Sequence, residues 1–167
     1  MAVAGGRAMR IGVLSDTHDR IPVIRAALDR FRQLGIETLI HPGDIVAPFA
    51  AKILAGFEGT LHVTYGNNDG ERAGLKGILP QIVDGPLVLG LAGKRVLVHH
   101  SLDLCHDDDL SRADVVISGH THRVVIRKEG GKLLVNPGEC CGWETGRCTV
   151  AVVDLHTNDV ELIEIPT

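Results

Sequence analysis

The chain has 167 residues, the size of one domain and too short for two ordinary ones, and 44% hydrophobic against 23% charged residues lets it bury a core. Seventeen Lys and Arg against 21 Asp and Glu give a net charge of −4, and the aromatic residues are three Phe, one Tyr and one Trp. Global disorder is excluded, and so is a basic, ring-rich track for a nucleic-acid backbone.

Residues 1–8 include Gly5, Gly6 and Arg7 and lack the apolar core of a signal peptide, so they read as a flexible tail ahead of one domain over 9–167. Ile11 to Leu14 is a short apolar run, the pattern of a buried strand, and it ends in Ser15-Asp16-Thr17-His18. A helix follows. Pro22 suits its first turn, Val23, Ile24, Ala27, Leu28, Phe31 and Leu34 form one apolar stripe, and Gly35 stands where a C-terminal cap belongs. Thr38 to Ile40 is predicted as the second strand and leads into His41-Pro42-Gly43-Asp44, with a helix from Pro48 to about Leu54 after it. Leu61 to Thr64 is the third strand, and Gly66-Asn67-Asn68-Asp69 is its terminal loop. This is the βαβ rhythm of a parallel sheet, in which ligands collect beyond the carboxyl ends of the strands.

The second half changes character. Pro86 to Leu91 and Arg95 to His99 flank Ala92-Gly93-Lys94 as a hairpin. A short helix over Asp107 to Arg112 precedes the strand Val115 to Ser118, which runs into Gly119-His120-Thr121-His122. Val124 to Arg127 and Leu133 to Val135 flank Gly130-Gly131, and Thr149 to Leu155 pairs with Val160 to Ile165 around Thr157-Asn158. Early βα units followed by hairpins predict two sheets packed face to face with helices outside. No run approaches about 18 apolar residues, so no membrane span is expected. Cys105, Cys140, Cys141 and Cys148 form no C-x-x-C pair and no zinc spacing, so reduced thiols and a cytoplasmic location are expected.

Nine histidines outnumber the aromatic residues, and histidine is the commonest metal ligand. Asp16, His18, Asp44, Asn67, His99, His120 and His122 all fall at predicted strand ends on one sheet edge. An apolar strand has no packing reason to gather those types there. Other histidines have plainer readings: His41 as a loop residue bonded to backbone or a group behind the ligands, His62 and His156 at the surface. His106 with Asp107, Asp108 and Asp109 reads as an acidic helix start favoured by the macrodipole. Cys140-Cys141 with Trp143 reads as loop packing.

The sequence of D-x-H, G-D, G-N-x-D, a strand ending in His, and G-H-x-H resembles the calcineurin-like metallophosphoesterases over Met9 to the C-terminus. The spacing matches: Asp44 lies 26 positions after His18, Asn67 lies 23 after Asp44, and His120 lies 21 after His99. Asn136-Pro137-Gly138 resembles a turn of the small YfcE-like phosphodiesterase branch. The resemblance implies a four-layer α/β/β/α sandwich of two mixed sheets and a dinuclear centre. Asp16, His18, Asp44 and His122 would hold one divalent ion, and Asp44, Asn67, His99 and His120 the other, with Asp44 bridging. It further implies hydrolysis of phosphodiesters, or of monoesters, by a metal-bridging hydroxide. Manganese stands first among the metals, with nickel, iron, cobalt or zinc as alternatives. The implied partner is a small phosphoester substrate, with nucleic acid excluded except as such a diester; oligomeric state is left open.

Three positions depart from the family pattern. Asn68 stands where a leaving-group acid, His, is common. His100 stands in place of Gly, as a group gained by the site or an exposed side chain. Glu139 follows the N-P-G turn where Ser is common. Asn68, Asp69 and His100 are thus the candidate catalytic positions, with Asp69 expected to orient rather than ligate. Two alternatives accompany this reading: a noncatalytic, Vps29-like protein-interaction scaffold on the same fold, and a mononuclear hydrolase using Asp16, His18, Asp44 and His122 alone.

Overall fold

In the computed structural model, which describes residues 8–167, strand β1 (Arg10–Val13) sends Ile11 and Val13 into a core between two sheets. Gly12 faces the other way. A Cβ there would lie 2.8 Å from the Phe31 ring, so the missing side chain lets Phe31 sit directly on the sheet. The expected tail lies outside the described residues except for Ala8, which is exposed.

Helix α1 (Ile21–Gln33) has Pro in its first turn and buries Val23, Ile24, Ala27, Leu28 and Phe31, the predicted stripe. It ends before Gly35, whose φ of +68° is the left-handed conformation glycine adopts without strain. Strand β2 (Thr38–His41), helix α2 (Pro48–Ala55) and strand β3 (Thr60–Val63) follow as predicted. Helix α3 (Arg72–Ile78) was not predicted. It is short, holds Gly74 and Gly77, and buries only Leu75, so no apolar period marks it in sequence.

The second sheet comprises β4 (Leu87–Leu91), β5 (Lys94–Val98), β6 (Val115–Ile117), β7 (Val124–Glu129) and β8 (Lys132–Pro137). Ala92-Gly93 and Gly130-Gly131 make its hairpin turns, each with two positive φ angles, the geometry that matches strand twist. The final hairpin, β9 (Thr149–Asp154) with β10 (Val160–Glu164), returns to the first sheet beside β1. The sheet orders are β10-β9-β1-β2-β3 and β4-β5-β6-β8-β7, each mixing parallel and antiparallel pairs.

Helices α1, α2 and α3 cover the outer face of the first sheet, where Leu39, Leu61 and Val63 meet Phe31, Leu54 and Leu75. A 3-10 turn (Leu102–Leu104) and helix α4 (Asp107–Arg112) cover the second, packing Leu102 and Leu110 on Leu97 and Val116. The layers are therefore α/β/β/α. Full burial of an Ile, Leu or Phe contributes about 1.5–3 kcal/mol, and α4 buries none of its residues. Stability thus resides in the sandwich, and the thin fourth layer is a cover. Among the described residues no helix is long and apolar enough to cross a membrane.

Candidate metal centre

Strands β1, β2 and β3 run parallel to one another in the first sheet, as do β5, β6 and β8 in the second, and they release their polar clusters at the same end of the sandwich. There the backbone is strained: Asp16, His18, Asp44, His120 and His122 all have positive φ, between 37° and 71°. Non-glycine residues rarely adopt that conformation, and they cluster where function over-determines the chain. Close approach of the loops requires glycine as well. A Cβ on Gly66 would overlap the Asp44 carboxylate, and one on Gly119 would overlap Ser15 and Asp16.

One half of the centre gathers Asp16, His18, Asp44 and His122. Asp16 is fully buried; its Oδ2 accepts from Ser15 Oγ (2.6 Å) and the His120 N–H (3.1 Å). Its Oδ1 has no hydrogen-bond partner, nor has His18 Nε2, although both are buried. His18 Nε2 lies 3.4 Å from Asp44 Oδ2, and His122 Nε2 lies 3.4 Å from Asp16 Oδ1. The Asp16 carboxylate, with Asp44 beside it, raises the His18 imidazole above its ordinary value against the effect of burial.

Behind His122 stands Glu139, fully buried, whose Oε2 lies 2.6 Å from His122 Nδ1. A carboxylate can only accept, so Nδ1 carries the proton and Nε2 turns a lone pair toward Asp16. Glu139 also accepts from the Thr145 N–H and hydroxyl, the Glu144 N–H and the Cys141 thiol. In the sequence Glu139 is only a departure from pattern. Its one signal is an acid at a strand end beside the N-P-G turn.

The other half gathers Asp44, Asn67, His100 and His120. His100 Nδ1 lies 2.8 Å from the Pro42 carbonyl, again an acceptor, so its Nε2 faces inward. That Nε2 is 2.9 Å from Asn67 Oδ1 and 3.3 Å from Asp44 Oδ2, while His120 Nδ1 is 2.9 Å from the same Asn67 oxygen. His100 is buried, not exposed, and its ring is the one of the two adjacent histidines that reaches Asn67 and Asp44. The His99 ring instead lies over Gly85, its Nδ1 accepting from the Ser101 N–H at 3.0 Å. Strand β5 ends one residue earlier than predicted, at Val98, and the chain turn brings the second histidine round. Burial lowers the His100 imidazole, but contact with Asp44 more than offsets this and the net shift is upward. Burial opposes the Asp44 charge, yet His100 and Asn68 hold that carboxyl well below its usual range.

Asn68 donates to Asp44 from its backbone N–H (2.8 Å) and its amide (2.8 Å). Asp69 accepts from the Asp44, Gly66 and Val46 N–H groups and ties the second and third loops together. Asn136 braces the Gly119-His120-Thr121-His122 loop, donating to the Gly119 carbonyl at 2.8 Å. His41 ends β2 fully buried; its Nδ1 accepts from the Gly43 N–H (3.1 Å) and its Nε2 bonds Thr17 Oγ1 (3.0 Å), with burial pulling it down to about 4. Both its nitrogens are engaged. His62 is half-buried, more covered than expected, and His156 is exposed as expected. Trp143 is exposed, stacks on the Arg20 guanidinium at 4.7 Å and donates to the His18 carbonyl at 3.4 Å.

The donor set suits a divalent cation. Buried acceptor atoms without donors, and inward lone pairs on His100 and His122, are costly unless a proton or cation lies among them. Imidazole with carboxylate and amide oxygen suits first-row divalent metals. His106 and Asp107 to Asp109 form no such grouping among the described residues.

Two expectations follow. Glu139→Gln is expected to weaken divalent-ion binding at the Asp16–His122 half by about 10–100-fold, the usual cost of losing an orienting partner, measured by titration of the stripped protein. Its carboxyl is held near 2, since hydrogen bonds from Thr145 and His122 outweigh burial. Its stabilisation is therefore present above 4.5 and lost as pH falls toward 2. Denaturation midpoints of the metal-free protein at pH 5 and 3 should differ less in the variant than in wild type. The thiols supply the second expectation. Burial pushes Cys141 up to about 12 and raises Cys140 further, and Cys105 is the only one of the four not buried. At pH 8 the native protein should react with a thiol reagent at Cys105 alone, and at all four positions once unfolded.

Comparison with known proteins agrees with this geometry. Residues 9–158 match the calcineurin-like phosphoesterase superfamily domain. Phosphodiesterase MJ0936 of Methanocaldococcus jannaschii is 39% identical over 162 residues, covering 90% of this chain and 96% of that protein. A solved archaeal phosphodiesterase superposes with a TM-score of 0.83 at 36% identity, over 94% of this chain and 100% of the other. YfcE, a phosphoesterase from E. coli, superposes at 0.73 over 95% of this chain and 100% of its own; its 20% identity speaks for the fold alone.

Proposed function

This chain belongs to the calcineurin-like phosphoesterase superfamily, and from that premise we propose that it hydrolyses phosphodiesters at a centre of two divalent ions. The observation that carries the reading is the position of Asp44 Oδ2 between two groups of candidate ligands, with His18 Nε2 on one side at 3.4 Å and His100 Nε2 on the other at 3.3 Å. Asp16, His18, Asp44 and His122 would hold one ion; Asp44, Asn67, His100 and His120 would hold the other. This set differs from the expected one in taking His100 for His99. Bound there, divalent ions supply Lewis-acid charge that polarises the phosphoryl oxygens and acidifies an attacking water. Manganese is the first candidate, followed by nickel, iron, cobalt and zinc.

The chain's own residues fix the geometry. Glu139 and the Pro42 carbonyl set the tautomers of His122 and His100, and Asn68 and Asp69 hold the Asp44 loop. Asn68 and Asp69 are thus positioning residues. Support for diesters comes from the archaeal phosphodiesterase relatives and from a cleft of about 580 Å³ beside Asn67, His100 and His120, roomy enough for an ester arm.

Stripping metal and restoring Mn, Ni, Co, Zn or Mg, with ions counted per chain, tests the reading on bis(p-nitrophenyl) phosphate and p-nitrophenyl phosphate. Two ions and a faster diester are expected. Turnover with none of the metals would favour the scaffold alternative, and full turnover with one ion the mononuclear alternative. A further expectation concerns the leaving group. The Asn68 amide is engaged with Asp44 and gives no proton to a departing alkoxide. General-acid help is typically worth about 10²–10⁴-fold, so rates across a series of aryl and alkyl diesters should fall steeply as leaving-group pKa rises. A flat dependence, with chemistry rate-limiting, would contradict the absence of an acid.

A further inference from the structure

Beside the second half of the centre, the cleft has a wall built from two stacked side chains. The Arg72 guanidinium lies 3.7 Å above the centre of the Tyr65 ring, and the Tyr65 hydroxyl donates to the Arg72 carbonyl at 3.2 Å. One edge of the guanidinium is fixed by Asp84, with Nη2 to Oδ1 at 2.6 Å. The Arg72 side chain is 48% exposed and lines the cleft with His99, Asp103 and Leu104. Leu104 is 70% exposed at the rim, an apolar group that no packing in the fold requires there. A planar cation held on an aromatic face, braced at its edge and open on its remaining side, is a shelf for another flat group.

The charges decide which flat group. Asp84 and Asp103 line the cleft against one guanidinium, and Asp84 already neutralises it. An arm carrying a further anion would meet an unpaired carboxylate. A neutral ring would lie on the guanidinium with Leu104 at its side.

We propose that the cleft is a binding subsite for one ester arm of the substrate, that Arg72 is its specificity-determining residue, and that it selects phosphodiesters with a flat, uncharged arm, aryl or nucleoside-like. The proposal rests on the diesterase reading above for the placement of the phosphate. It explains what Tyr65, Arg72 and Asp84 do in a site whose chemistry uses none of them. Aromatic stacking of a single ring is a modest effect, and about tenfold in affinity is the expected scale.

The test is calorimetric binding to the metal-loaded protein of two ligands with equal charge and similar bulk, diphenyl phosphate and dicyclohexyl phosphate. The flat ligand should bind about tenfold tighter to wild type. That preference should shrink to within about twofold in both Arg72→Ala and Arg72→Lys, the latter keeping charge and fold while removing the plane. Bis(4-carboxyphenyl) phosphate should bind more weakly than diphenyl phosphate, and Asp103→Asn should narrow that gap. Equal binding of the two ligands to wild type, or a preference that survives both Arg72 variants, overturns the shelf. If the preference is present and depends on Arg72 while no diester is hydrolysed with any metal, the cleft stands and the catalytic reading fails. If diesters are hydrolysed without the preference, the subsite alone fails.

Discussion

Asp44→Ala is expected to lower diester turnover by on the order of 10³-fold or more and to reduce metal content from two ions per chain to one or fewer. The Asp44 carboxylate reaches both halves of the candidate centre, 3.4 Å from His18 Nε2 and 3.3 Å from His100 Nε2. Removing it leaves imidazoles facing two cations with no negative charge between them, and unit charges a few ångströms apart repel by about 4 kcal/mol even at an effective dielectric of 20. Loss of one preorganised electrostatic group costs about 10²–10³-fold on its own. Asp44→Asn keeps the volume and should lose nearly as much, separating charge from shape. Elemental analysis after dialysis reads the occupancy, and a variant with two ions and wild-type rate would remove the bridging role.

His100→Ala is expected to abolish binding of the second ion and cost at least about 10²-fold in turnover, whereas His99→Ala should retain both ions. His100 Nε2 faces Asp44 and Asn67, with its other nitrogen anchored on Pro42; His99 spends its Nδ1 on the Ser101 N–H and turns its ring over Gly85. The pair of variants reads directly which histidine ligates, by metal stoichiometry as well as by rate. Ion loss in His99→Ala with His100→Ala unaffected would return the ligand role to His99.

Much of this was legible in the chain itself. Apolar runs ending in Asp16-Thr17-His18, Gly43-Asp44, Gly66-Asn67 and Gly119-His120-Thr121-His122 mark parallel strands and their common edge, because a buried strand has no use for such residues except at its end. The α1 stripe and the two hairpin turns followed from period and from positive-φ chemistry, both local properties. Helix α3 was hidden because its helicity comes from packing on α2 and burying Leu75, not from its own glycine-bearing sequence.

The family, the sheet edge and most of the side chains gathered at the candidate centre were determined by the sequence alone, since residue type and spacing along a strand fix which groups arrive together. Tertiary structure decided what depends on direction. Two adjacent histidines are indistinguishable in sequence, and only the end of β5 at Val98 and the reach of His100 to the Pro42 carbonyl select one of them. Glu139 likewise acquires its role from a long-range meeting of two loops that no local pattern encodes. Strand periodicity specifies a face up to the last paired residue; beyond it the backbone is set by hydrogen bonds from elsewhere in the chain, and those exist only in the folded state.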